Sequence, residues 1–68
     1  MPIRVALEKV LAERGMKLTE LAQRTGIALN NLSILKTGKA KAIRFSSLES
    51  VCKALDCQPG DLLAYDPD

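Results

Sequence analysis

The sequence of 68 residues contains no histidine and no tryptophan, and it contains only two cysteines. Without histidine the zinc-finger and HExxH motifs are excluded, and two cysteines are too few for a four-thiolate zinc site. The commonest general acid or base near neutral pH is missing as well. No nucleophile–base pair, glycine-rich phosphate loop or pair of carboxylates can be named. We therefore predict that the protein is not an enzyme, holds no metal and needs no cofactor or small-molecule ligand.

Long apolar runs are also missing from the sequence. A signal peptide needs an apolar stretch of about 7–15 residues and a membrane-spanning helix needs about 20. We therefore expect a cytoplasmic protein with no membrane partner. Cys52 and Cys57 are spaced C-x4-C rather than C-x-x-C. This spacing favours two small core-type residues with free thiols, and a redox or metal pair is the alternative.

Aromatic residues make up only 3% of the chain, whereas apolar residues make up 47% and are dominated by Ala and Leu. This composition is typical of a helical protein and disfavours a β-barrel. A chain of this length has room for one small core. We predict a single all-α domain over residues 1–68, a compact bundle of five helices at about 3–14, 18–25, 28–36, 46–55 and 59–64.

Two of these helices have clear sequence patterns. The first is predicted from apolar residues at i, i+4, i+7 and i+8, namely Ile3, Leu7, Val10 and Leu11. The fourth is predicted to open with a capping box formed by Ser46 and Glu49. Phe45, which comes just before it, is expected to pack in the core.

The segment from Leu18 to Leu35 is a short predicted helix, a glycine turn and a second short helix, which is the helix-turn-helix arrangement. Ala22 is small at the point where the two helices cross. Gly26 stands where the turn needs a positive φ angle. Apolar residues at fitting positions set the angle between the helices: Leu21, Ile27, Leu32 and Leu35.

The stretch Leu18-Thr-Glu-Leu-Ala-Gln-Arg-Thr-Gly26-Ile27, followed by Leu32-Ser-Ile-Leu-Lys-Thr-Gly-Lys39, resembles the phage-repressor/Cro-type (XRE) helix-turn-helix family. The resemblance continues through Arg44-Phe45 and covers Val5 to Leu63. It implies a lambda-repressor-like DNA-binding domain and a transcriptional regulator, expected to be a repressor, that binds duplex DNA in a sequence-specific manner. In such proteins the second motif helix lies in the major groove, and dimers bind half-sites of a palindromic operator about 34–36 Å apart. We therefore expect a homodimer on double-stranded DNA.

Matching the motif residue by residue assigns two sets of DNA contacts. Asn30 can make a two-pronged contact to adenine, and the apolar members of the first set can touch thymine methyl groups. The base-contact candidates are Ala28, Leu29, Asn30, Ser33 and Ile34. The phosphate-contact candidates are Lys17, Arg24, Lys36, Thr37, Lys39, Lys41 and Arg44.

The formal net charge of +2 arises from cancellation along the chain. Residues 14–44 hold seven basic and one acidic side chain, for +6, and residues 45–68 hold one basic and five acidic, for −4. The basic segment coincides with the helix-turn-helix and the loop that follows, which favours a phosphate-facing surface. The apolar residues Leu29 and Ile34 among the base-contact candidates keep an alternative open, a protein-interaction module such as the antitoxin of a toxin–antitoxin pair.

Overall fold

A computed structural model describes residues 3–66, which form five helices and a two-stranded sheet. The helices are α1 (Leu7–Arg14), α2 (Leu18–Thr25), α3 (Leu29–Lys36), α4 (Phe45–Leu55) and α5 (Pro59–Leu62). The strands are β1 (Ile3–Val5) and β2 (Leu63–Tyr65). No helix among residues 3–66 is both long and apolar enough to cross a membrane.

The two strands join the beginning and the end of the described chain. They pair antiparallel with Ile3 opposite Tyr65 and Val5 opposite Leu63. The Ala6 amide extends the ladder by donating to the Leu62 carbonyl at 2.7 Å. The predicted helices at 3–14 and 59–64 are therefore wrong at one end each, because residues 3–5 and 63–65 are strands. The fold is mostly helical rather than all-α.

The hydrophobic core lies between the helices, and every helix contributes to it. Its buried residues are Leu7, Val10, Leu11, Leu21, Leu32, Leu48, Val51, Leu55 and Leu62. Burying one such Leu or Val side chain contributes about 1.5–3 kcal/mol. The predicted inward positions Leu7, Val10, Leu11, Leu21 and Leu32 are confirmed by this set, and Leu35 packs against it half-buried. The predicted inward position of Ile3 is wrong, because Ile3 lies in β1 and is 51% exposed.

The start of α4 differs from the sequence prediction in two ways. Phe45 is 87% exposed, so its expected place in the core is wrong. It lies on the same side of α4 as the exposed Glu49 and Lys53, whereas the buried stripe lies on the other side. The predicted capping box at Ser46 is absent because the helix begins one residue earlier, after Arg44, and no side chain caps it.

Arg14 ties the end of α1 to the end of α4. Its Nε donates to the Leu55 carbonyl at 2.8 Å, and its Nη2 donates to the Asp56 carbonyl at 3.1 Å. Carbonyls at a helix C-terminus lack intrahelical partners and carry a partial negative charge, so a guanidinium is a suitable donor. Although Arg14 belongs to the basic segment of the sequence, its role here is to connect two helices.

Candidate nucleic-acid interface

The turn between α2 and α3 is held by one buried side chain from each helix and by hydrogen bonds of the turn itself. Leu21 and Leu32 are both fully buried. Gly26 has a φ of 74°, as predicted, and its amide donates to the Ala22 carbonyl at 2.9 Å. A left-handed residue at this position ends a helix and favours glycine, which has no Cβ.

Thr25 stabilises the same turn, a role that the sequence did not predict. Its hydroxyl donates to the Leu21 carbonyl at 2.8 Å and accepts from the Ile27 amide at 3.2 Å. The hydroxyl thus satisfies a carbonyl of the last turn of α2 and the first amide beyond Gly26. A threonine immediately before a helix-ending glycine is the sequence signal that could have indicated this role.

All five base-contact candidates are exposed, four of them on α3 and one just before it. Ala28 precedes the helix, and its carbonyl accepts from the Asn31 and Leu32 amides, both at 3.1 Å. Leu29 and Ile34 are 45% and 44% exposed. Leu32 and the half-buried Leu35 point to the core from the opposite side of the helix. The exposed residues between 28 and 34 are the five candidates, Ala28, Leu29, Asn30, Ser33 and Ile34, together with Asn31.

The C-terminal end of α3 has the hydrogen bonds of a Schellman motif. The Gly38 amide donates to the Leu35 carbonyl and the Lys39 amide donates to the Ile34 carbonyl, both at 3.1 Å. Gly38 has a φ of 79°, which this motif needs. Thr37 donates its hydroxyl to the Ile34 carbonyl at 3.1 Å. These bonds fix the direction in which the basic loop leaves the helix.

A groove of about 560 Å³ lies between α3, the 39–44 loop and the start of α4. Three phosphate-contact candidates line it, namely Lys39, Lys41 and Arg44, and all three are exposed. Asn31 and Ser47 also line this groove. Sequence reasoning assigned neither residue to the interface, and Ser47 has no local pattern that could have indicated it, because only the packing of α4 brings it there.

The other phosphate-contact candidates lie outside this groove. Lys17 precedes α2 and is exposed, and no side chain caps that helix. The free amides of its first turn give that end a partial positive charge, which suits an anion. Arg24 is exposed but forms an ion pair with Glu20, at 2.7 Å between Nη2 and Oε2. Lys36 is half-buried near the end of α3.

Comparison with known proteins decides the family. Residues 6–68 match the model of the Cro/C1-type HTH DNA-binding domain. The chain belongs to this family of DNA-binding transcriptional regulators. The expected Cro-type (XRE) membership is thereby confirmed, and the family is not a class of enzymes. Among residues 3–66 no group of three or more Cys, Asp or Glu side chains is arranged to hold a metal ion.

A relative supports the same assignment. The chain is 59% identical over 68 residues to the "Uncharacterized HTH-type transcriptional regulator YozG" of Bacillus subtilis (strain 168). The alignment covers 100% of this chain and 81% of the relative. No solved structure matches this Cro/C1-type chain.

Proposed function

We propose that this Cro/C1-type protein is a single-domain, cytoplasmic repressor that binds a palindromic DNA operator as a homodimer, with α3 in the major groove. The observation that carries the proposal is the exposed face of α3, beside a groove lined by Lys39, Lys41 and Arg44. A helix of this kind fits the major groove when neighbouring cations contact the backbone on its edge.

The composition of this face favours A·T base pairs in each half-site. Asn30 can donate to N7 and accept from N6 of one adenine, and Leu29 and Ile34 can cover thymine methyl groups. Since α3 has no arginine on its exposed face, the commonest bidentate contact to guanine is missing. A selection that enriches G-rich half-sites would contradict this preference.

The homodimer is supported by an exposed apolar pair on the sheet. Ile3 and Tyr65 face each other across the two strands and are 51% and 66% exposed. Val5 and Leu63, two residues further along, cover the core on the same face of the sheet. We assign this surface to contact with a second copy of this chain. A palindromic operator is bound by two protomers related by a two-fold axis, and a small domain buries more apolar surface when it associates.

The first experiment is selection of bound duplexes from a random pool. We expect enriched palindromes with half-sites about one helical turn apart. Failure of the folded protein to enrich any sequence would overturn the proposal.

The second experiment tests the phosphate contacts with charge-matched variants. Removing Lys39 and Lys41 together (Lys39→Ala with Lys41→Ala) should lower affinity for the selected duplex. It should also reduce the slope of log K against log salt by roughly 3.6, because a dimer loses four phosphate contacts. The control removes Lys9 and Lys53, two exposed lysines outside the 14–44 segment, and should leave the slope nearly unchanged. If each protomer neutralises about four phosphates, it contributes about −3.6 to the slope, and the slope for the unmodified dimer should be near −7.2.

A protein-interaction module on the same fold, for example an antitoxin, is the second candidate. The exposure of Leu29 and Ile34 on the face of α3 favours it, because large apolar side chains at a surface often mark protein contacts. A mobility-shift titration with excess non-specific competitor DNA separates the two functions. A specific complex that survives the competitor supports the repressor, and its absence supports the interaction module.

A further inference from the structure

Cys52 and Cys57 meet at the C-terminal end of α4, where the left-handed Asp56 ends the helix. Asp56 has a φ of 51°, and the amides of Asp56 and Cys57 both point to the Cys52 carbonyl, that of Cys57 at 3.0 Å. The bond from the Cys57 amide is the characteristic hydrogen bond of a Schellman motif. In this motif the residue after the left-handed one, here Cys57, packs against the residue five positions earlier, here Cys52. The C-x4-C spacing therefore places the two side chains together, although it lacks the C-x-x-C pattern of redox motifs.

The environment of the two thiols agrees with such a contact. Both cysteines are half-buried, and both pack against the hydrophobic core. The pKa of Cys57 is raised to about 11, chiefly by burial and then by the neighbouring Cys52 thiol. Arg14 holds the intervening backbone through the Leu55 and Asp56 carbonyls. The segment between the two sulfurs is thus already in place before any bond forms.

We propose that Cys52 and Cys57 form a dithiol site that closes reversibly into an intramolecular disulfide by exchange with a low-molecular-weight disulfide. The Cys52 thiol loses its proton to solvent and attacks one sulfur of the small disulfide, which releases one small thiol. Cys57 then loses its proton and attacks the Cys52 sulfur of the mixed disulfide, which releases the second small thiol. The protein thiols are oxidised, the small disulfide is reduced, and the bond closes without a change of backbone fold.

The site is separate from the candidate nucleic-acid interface. Neither cysteine lines the groove beside α3. Affinity for the selected duplex is therefore expected to change less than about twofold on oxidation, since stable helices transmit little change when their packing is kept. This makes the dithiol testable whether or not the proposed repressor function holds.

The experiment uses the reduced full chain and oxidised glutathione as the probe. After incubation at mildly alkaline pH, remaining thiols are alkylated and the intact mass is measured. We expect a dominant product about 2 Da lighter than the reduced chain, free of glutathione and alkyl groups, which dithiothreitol returns to the original mass. Cys52→Ser and Cys57→Ser should each give one glutathione adduct or one alkyl group. Dominance of doubly alkylated or doubly glutathionylated chain would overturn the proposal.

A comparison of folded and denatured protein tests the role of the helix ending without any variant. At the same ratio of oxidised to reduced glutathione, the fraction of closed disulfide should be about tenfold higher in the folded chain than in guanidinium chloride, because folding raises the effective concentration of one thiol at the other. An equal or lower fraction in the folded chain would show that the α4 ending does not bring the sulfurs together, and the proposal would fail.

Discussion

Arg24 and Glu20 lie one turn apart on α2, with Nη2 of the arginine 2.7 Å from Oε2 of the glutamate. The two residues stand at i and i+4 with the acid first, the favoured order for a helix pair. Both side chains are about half exposed, so the pair contributes little to stability, about 0.3–0.5 kcal/mol. The pair should have a larger effect on DNA binding. Glu20 pairs with Arg24, which is expected to contact phosphate, and adds a negative charge beside it.

Replacing Glu20 by glutamine (Glu20→Gln) should therefore strengthen DNA binding. The change removes one negative charge and frees the Arg24 guanidinium, and we expect a gain of about two- to fivefold in affinity at low salt, smaller at high salt because ions screen exposed charges. Fluorescence anisotropy with the selected duplex measures it. Glu13→Gln, an equal change of charge at an exposed position of α1, is the control. Weaker binding by Glu20→Gln would mean that Arg24 needs its partner to be positioned.

Alanine at Gly26 should destabilise the protein through backbone conformation alone. The glycine has a φ of 74°, and apart from its chain neighbours no heavy atom of residues 3–66 lies within 4 Å of the place a Cβ would take. We expect a loss of about 1–2 kcal/mol from the free energy of unfolding, measured by urea denaturation. Gly60→Ala is the matched control, because that position is equally open but has no positive φ. Equal stabilities of the two variants would contradict this explanation of the turn.

Truncation of Phe45 and of Leu55 should change stability by very different amounts, although both are large apolar residues of α4. Phe45 is largely exposed whereas Leu55 is buried. Phe45→Ala should change stability by less than about 0.5 kcal/mol, and Leu55→Ala should cost about 2–5 kcal/mol by leaving a cavity. Thermal unfolding of both variants at one concentration measures the difference. A large loss for Phe45→Ala would place this ring in a contact within the folded protein.

Local patterns in the sequence indicated the helix-turn-helix correctly because its determinants lie close together. Gly26, Leu21 and Leu32 act within one supersecondary unit, and their spacing alone indicates the turn and the inward face. The strand at Ile3–Val5 could not be found this way, because its partner lies about sixty residues away and the apolar spacing of Ile3 and Leu7 also fits a helix.

In the candidate site too, some features follow from residues that are close in sequence, and others depend on tertiary packing. The exposed face of α3 follows from the position of Leu32, which helical periodicity identifies. Ser47 enters the groove only through the packing of α4, which periodicity does not determine. The pair of Arg24 with Glu20, in contrast, has the i,i+4 spacing of neighbours on a helix and could have been found in the sequence. The contact of Cys52 with Cys57 depends on one left-handed residue, Asp56, which has no strong sequence signature.

Substitution of Tyr65 should weaken the proposed homodimer. Tyr65→Ser removes an exposed ring from the sheet surface that we assign to the second copy, and we expect the dissociation constant of the dimer to rise about tenfold or more, as for an aromatic side chain at the centre of an interface. Sedimentation velocity over a range of concentrations measures it. Phe45→Ser, which removes an exposed aromatic ring at α4, is the control. If Phe45→Ser dissociates the dimer and Tyr65→Ser does not, the interface lies at α4 instead.

The raised pKa of Cys57 predicts a specific loss of stability at alkaline pH. Burial in the folded protein raises the pKa of the Cys57 thiol from its ordinary value of 9.0 to about 11. Below pH 9 both states carry the proton and the thiol has no effect on the pH dependence. Between about pH 9 and 11 the unfolded state loses its proton first and is favoured, so stability falls across this window and the fall ends above it.

The measurement is urea unfolding at several pH values under reducing conditions, with Cys57→Ala as the reference for every other contribution to the pH dependence. Wild type should lose about 1–2 kcal/mol more than the variant between pH 9 and 11, less than the full shift implies because the thiol is only partly buried. Parallel curves for the two proteins would show that Cys57 ionises equally in both states. The burial of its thiol against Cys52 would then carry no energetic cost for the thiolate.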